Sequence, residues 1–78
     1  MSEITNKDRA SWAADALVAF KASHQCDTDE VANIKDLITD LLHLARREHG
    51  VTMSDDLYHL TRSAADMHFA EAIEDPEE

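Results

Sequence analysis

One glycine, Gly50, and one proline, Pro76, are the only strong backbone punctuation in this chain. Val, Ile, Thr, Tyr and Phe nowhere alternate with polar residues over the length of a strand. Without turn-formers or a two-residue period, neither hairpins nor sheets can be laid out, and helix is the regular structure that remains. Seventy-eight residues suffice for one domain. No internal repeat or interior linker divides it. The expected fold is all-α, a compact three-helix bundle spanning residues 1–78.

Helices are predicted over about residues 6–23, 28–49 and 55–74, followed by an acidic fray at 75–78. Thr5 or Asn6 can cap the first, whose Ala10, Trp12, Ala13, Ala16, Leu17 and Phe20 share roughly one side, with Val18 off it. In the second, Asp27 and Glu30 have capping-box spacing, and Val31, Ile34, Leu37, Ile38, Leu41, Leu42, Leu44 and Ala45 form a broad apolar arc. Arg46 and Arg47 suit its carbonyl end, and Gly50 suits a left-handed C-cap. So wide an arc makes this the central helix. The third takes Ser54 as cap and Asp55 and Asp56 in its first turn, with Met53 and Tyr58 spaced as a hydrophobic staple. Leu57, Leu60, Ala64 and Met67 form its inward row. The short connections at 24–28 and 50–54 favour antiparallel neighbours.

Seventeen Asp and Glu oppose seven Lys and Arg, for a formal charge of −10. Such an excess repels nucleic acid and membrane surfaces and attracts cationic ones. A helix-turn-helix reading fails on this ground, because the third helix offers Arg62 amid Asp55, Asp56, Asp66, Glu71 and Glu74. Cys26, the single cysteine, allows no intrachain disulfide and fits a reducing compartment. The opening MSEITNKDRA lacks an apolar export segment, and no apolar run is long enough to span a bilayer. The expected location is the cytoplasm, with no membrane contact.

Chemistry has few candidates. Asp40 with His43, and Asp56 with His59, are Asp-x-x-His pairs, each able to offer two metal ligands from one helix face. Di-iron bundles use the longer Glu in that place together with carboxylates from other helices, which are not evident here. Asp36 and Asp40 are spaced to share magnesium, as in helical nucleotide pyrophosphatases, but those enzymes rely on denser acidic clusters. His68 projects among Leu57, Ala64 and Met67, so a buried neutral imidazole is expected, with a titrating switch as the sharper alternative. His24 and His49 flank helix ends, where carbonyls or solvent satisfy them. Ser11, Ser23, Ser54 and Ser63 lack a nucleophile elbow, and Asp27, Asp29 and Glu30 disfavour a Cys26 thiolate, although a nearby helix N-terminus acts oppositely. No glycine-rich loop exists to cradle phosphate. No cofactor, metal or catalytic residue is therefore expected, and the protein reads as a non-enzyme.

The acidic faces remain. Asp29, Asp36 and Asp40 form a row on the second helix with Arg47 as the one nearby cation, and the last thirteen residues hold six acids and no Lys or Arg. Such a face is commonly just solvated, but it can also copy the phosphate spacing of nucleic acid and occupy a basic groove. Tyr58, Phe69 and Ile73 lie together on the third helix, off its inward row. They either cover the first helix, the reading favoured here, or anchor an interface rimmed by carboxylates.

The stretch Ile34-Lys35-Asp36-Leu37-Ile38-Thr39-Asp40-Leu41-Leu42-His43-Leu44-Ala45, then His68-Phe69-Ala70-Glu71, resembles a pattern in small helical proteins of phages and mobile elements, loosely D-L-x-x-D-L-x-H-L-A in its first part. Small, acidic and helical, the chain is similar to anti-CRISPR proteins. That resemblance implies an inhibitor in a bacterial host cell that occupies the DNA-binding surface of a type I CRISPR effector complex, a DNA mimic with a basic protein as partner and no direct contact with nucleic acid. The class has no shared catalytic motif, so the contact residues come from the outward faces alone: Asp29, Asp36, Asp40, Asp55, Asp56 and Asp66. The alternative is a small phage or plasmid regulatory or adaptor protein acting through an apolar helix face, with a homodimer as one form.

Overall fold

The computed structural model describes residues 4–23, 25–26 and 28–75. The fold is all-α, a bundle of α1 (Asn6–Ala22), α2 (Glu30–His49) and α3 (Ser54–Glu74), with no strand among the described residues. Each boundary has a local cause. At the start of α1, the Thr5 hydroxyl accepts from the Asp8 amide at 3.2 Å and the Asp8 carboxylate accepts from the Thr5 amide at 3.0 Å. This reciprocal box satisfies two backbone donors that the first turn would otherwise leave open. α2 begins at Asp29, whose carboxylate accepts from the Val31 amide at 3.0 Å. The cap expected at Asp27 thus falls two residues later, and Asp27 itself lies outside the described residues.

Gly50 ends α2 with φ of 74° and ψ of 12°, the left-handed conformation that costs glycine nothing sterically. The Val51 amide then reaches back to the Ala45 carbonyl at 3.2 Å, closing the end of the helix. At α3 the expectation fails: Met53 is the N-cap and makes no side-chain cap bond, while Ser54 is already helical. Asp55 and Asp56 in the first turn supply the negative charge that the N-terminal end of the dipole favours. Met53 and Tyr58 are both exposed, so no hydrophobic staple forms.

α2 is the central element. On one flank Ile34 and Leu37 face Ala10, Ala13, Ala14 and Leu17 of α1 across an open groove of about 330 Å³. On the other, Ile38, Leu41 and Leu42 face Leu60, Thr61 and Ala64 of α3 across a second groove, of about 260 Å³. The Thr61 hydroxyl bonds back to the Leu57 and Tyr58 carbonyls at 3.1 and 3.0 Å. That settles its polar group within its own helix.

Two polar junctions hold the helices in place. At the α1–α2 corner, the Lys21 ammonium sits 2.7 Å from the Glu30 carboxylate, which also accepts from the Asn33 amide nitrogen at 2.9 Å. At the opposite end, the start of α1 meets the end of α3. The Asn6 amide donates to the Asp75 carboxylate at 2.7 Å, the Asn6 side chain donates to the Glu71 and Asp75 carbonyls at 2.8 and 3.1 Å, and the Arg9 guanidinium pairs with Glu71 at 3.3 Å. Arg9 also donates to the Asn6 side-chain oxygen at 2.6 Å, so the whole cluster is one connected network.

No hydrophobic residue among those described is buried; the one buried side chain is Asn33, 1 % exposed. The accessible surface is 6710 Å². A compact monomer of the same 8.8 kDa mass exposes about 4,800 Å². The radius of gyration, 14.3 Å, likewise exceeds the roughly 11.5 Å expected of a close-packed chain of this length. The helices are in place, and their apolar faces remain open to solvent.

Candidate interaction surfaces

Asp36 and Asp40 stand one turn apart on α2, exposed, on the side away from Ile34, Ile38 and Leu41. On α3, Asp55 and Asp66 share a side and lie about 16 Å apart at 1.5 Å per residue, while the neighbouring Asp56 points roughly 100° away. Asp29 is also exposed, but its carboxylate is engaged as the α2 cap. The six expected contact residues therefore form an α2 pair and an α3 set, with Asp29 at a helix end.

The ion pairs of the described residues are Arg9–Glu71 and Lys21–Glu30. Neither consumes a candidate aspartate: Asp36, Asp40, Asp55, Asp56 and Asp66 make no ion pair or hydrogen bond among the described residues. Arg47, on the side of Asp36 and Asp40, is not bridged to either. The outward field of α2 is thus left uncompensated at short range.

The Glu30 carboxyl is held below its ordinary range, chiefly by the hydrogen bond from Lys21 and then by that from Asn33. The Lys21 ammonium is correspondingly raised, chiefly by its bond to Glu30. Both groups are solvent-accessible, so the pair positions the corner more than it contributes to stability.

The apolar surface departs from expectation in several places. Trp12 is 58 % exposed and Ala14 takes its place at the α2 groove. At 100° per residue Trp12 lies about 140° around α1 from Leu17, too far to share its face. His68 is exposed, not buried; its ring lies 5.4 Å from that of Phe69, tilted at 56°. The groove between α2 and α3 ends at Ala64, and beyond it α3 meets α1 through Glu71 and Asp75, so nothing covers Met67 or His68. Tyr58, Phe69 and Ile73 are 75 %, 65 % and 81 % exposed. They do not cover α1; Phe69 and Ile73 stay open on α3, while Tyr58 borders a groove that Leu42 of α2 also lines.

One pattern escaped the sequence reading. Along α2 the exposed apolar positions Val31, Ile34, Ile38 and Leu41 continue to the half-buried Ala45 in steps of three, four, three and four. That is the spacing of a coiled-coil seam, narrower than the arc containing it. Members of this row line the two grooves themselves: Ile34 with Leu37 faces α1, and Ile38 and Leu41 with Leu42 face α3.

Among the described residues no three His, Cys, Asp or Glu side chains converge as a metal site would require, and Asp40–His43 and Asp56–His59 remain separate pairs. Cys26 is a free, exposed thiol in the α1–α2 connection. No helix of the described residues is long and apolar enough to cross a membrane. No protein-family model, curated protein or solved structure matches the chain.

Proposed function

We propose that the protein is a non-catalytic inhibitor that lays its carboxylate-bearing helix faces into a basic, polynucleotide-binding groove of another protein, of the kind a type I CRISPR effector complex presents to target DNA. The observation that carries this reading is the absence of cationic partners at Asp36, Asp40, Asp55, Asp56 and Asp66 among the described residues. Uncompensated carboxylates on a rigid helix offer a fixed array of negative charge, which speeds encounter with a cationic groove and makes binding salt-sensitive. Asp36 and Asp40, together on one turn, are the centre of the array. Asp29 contributes charge from the α2 cap.

The test is competition between this protein and target DNA for a purified type I effector complex at two ionic strengths. Reversing Asp36 and Asp40 to Lys together weakens inhibition at least about tenfold at low salt and much less at high salt. Inhibition that is unchanged by the reversal, or absent at both salt concentrations, rejects the reading.

The open side chains of α3 favour a second reading, an adaptor that binds a protein partner through apolar contact. Tyr58, Phe69 and Ile73 are exposed aromatic and aliphatic side chains of the kind that anchors interfaces. Partner capture that survives high salt and is lost on Phe69→Ala supports this reading; capture released by salt and indifferent to Phe69→Ala returns the case to charge.

A further inference from the structure

We infer that the trough between α2 and α3 on the side of Arg46 is a binding site for a small amphiphilic monoanion, an apolar chain ending in one carboxylate. The site uses none of the candidate aspartates and is independent of the charge reading. One stretch of the trough, of about 290 Å³, is lined by Leu42 of α2 and by Ser54, Leu57, Tyr58 and Thr61 of α3. The next stretch, of about 220 Å³, is lined by Thr39, Leu42, His43 and Arg46 of α2 and again by Leu57. Leu42 and Leu57 belong to both, so the two stretches join over one apolar floor. The walls add little polarity to it. The Thr39 hydroxyl donates to the Lys35 carbonyl at 3.0 Å and the Thr61 hydroxyl to the Leu57 carbonyl at 3.1 Å. Each hydroxyl proton is thus satisfied within its own helix.

Charge at the rim selects the occupant. Arg46 makes no ion pair or side-chain hydrogen bond among the described residues, whereas Arg9 and Lys21 are both paired. His43 stands one turn before Arg46 on the same lining. Lys35 is exposed and lies within about 20° of Leu42 around α2, which adds positive charge to that edge. No carboxylate among the described residues lines either stretch. Asp36 and Asp40 lie about 120° and 160° around α2 from Leu42, and Asp56 and Asp55 about 100° and 160° around α3 from Leu57. In a chain of formal charge −10, this is a local reversal of sign.

The two features together narrow the ligand. The planar guanidinium of Arg46 matches a carboxylate, which it can hold through two parallel N–H donors. A bare inorganic anion would leave the Leu42–Leu57 floor unused. A polyanion, whether nucleic acid or an acidic protein, is repelled by the field of the whole chain. A single carboxylate on an apolar body meets the least repulsion, and burial of that body on the two leucines supplies most of the affinity. The fit is therefore an anionic head at Arg46, with the chain laid over Leu42 and Leu57 toward Tyr58.

Octanoate titrated into the isotope-labelled full chain, followed by methyl and arginine side-chain NMR shifts, tests this against 1-octanol, the chain without the charge, and acetate, the charge without the chain. The expected result is saturable octanoate binding with a dissociation constant of about 5 mM or tighter, and shifts centred on Leu42, Leu57 and the Arg46 guanidinium. Octanol and acetate each bind at least about fivefold more weakly. Arg46→Gln raises the octanoate constant at least about fivefold. Arg47→Gln removes the same charge from a neighbour that lines neither stretch, and leaves the constant within about twofold. Equal affinity for octanoate and octanol, or equal effects of the two arginine variants, overturns the proposal. So does octanoate that fails to saturate, or whose shifts spread evenly over Leu17, Ile34 and Leu60, which would mark indiscriminate wetting of apolar surface. Should Arg46→Gln fail to fold, the comparison of the three ligands on the unaltered protein decides the matter.

Discussion

The carboxylate of Asp75 accepts a hydrogen bond from the backbone amide of Asn6 at 2.7 Å, joining positions 69 apart in the sequence. Asp75 acts here as a capping group for α1 delivered from the end of α3. It satisfies one of the open amides of the first turn and places negative charge at the positive end of the helix dipole. Asn6 returns the contact through its side chain to the Glu71 and Asp75 carbonyls.

Asp75→Ala therefore removes a cap and a tertiary tie together. The expected loss is about 1–2 kcal/mol, with Asn6→Ala costing a similar amount. Because both changes break one network, the double variant loses less than the sum, with a coupling of about 0.5–1 kcal/mol. Urea melts of the four proteins of the cycle measure it; strict additivity would show that the two residues do not cooperate.

Asp29 and Asp36 are both exposed aspartates of the α2 acidic row, but they differ in what they hold. Asp29→Ala leaves the Val31 amide without its partner and lowers stability by about 1 kcal/mol, whereas Asp29→Asn retains an acceptor and most of the stability. Asp36→Ala stays within about 0.5 kcal/mol of the unaltered protein. Thermal melts separate the three.

Gly50 carries a φ of 74°, and a Cβ built there would meet nothing within 4 Å. Gly50→Ala is therefore penalised by backbone strain alone, by about 1 kcal/mol, and Gly50→Asn by less because Asn tolerates the left-handed region. Equal melting points for the two variants would show that the end of α2 is not held in that conformation.

The α1–α2 corner responds to pH in two windows. The folded Glu30 carboxyl titrates below its ordinary value of 4.5, so its contribution is complete above 4.5 and is lost as pH falls through the lower folded value. Lys21 titrates above its ordinary 10.5, so its contribution is complete below 10.5 and is lost as pH rises through the higher folded value. Lys21→Met moves the Glu30 titration back toward 4.5 but not all the way, since the bond from Asn33 stays. Carboxyl-carbon NMR titrations follow this directly, and an unmoved Glu30 would show that the ion pair is not what holds it down.

The three helices were legible because their signals are local. Thr5 as a cap, Gly50 after Arg46 and Arg47, and the apolar arc of α2 each act within a few residues, while the part of Asp8 in the Thr5 box was not read. What the sequence could not convey is how far each face is covered. Trp12 and His68 were placed inside, and Phe69 over α1, on the assumption that apolar neighbours imply an interior, yet each is exposed. Ser54 has the composition of a cap, but the chain turns one residue earlier, at Met53. The Asn6–Asp75 tie had no local signal, because its partners come from opposite ends of the fold. Exposure of the candidate aspartates was legible from their helix phase. The separate roles of Asp29 and Asp36 emerged only once the α2 boundary was fixed. The α2 seam was present in the spacing all along, hidden within a broader arc that read as ordinary burial.

The sealing of Asn33, and of no hydrophobic side chain among those described, bears on how the protein responds to heat. The heat-capacity increment of unfolding scales with the hydrocarbon newly wetted. An isolated chain that hides less hydrocarbon than a compact monomer of its mass has a less strongly curved dependence of stability on temperature. Any further shielding of its half-exposed Ile and Leu side chains would deepen that curvature.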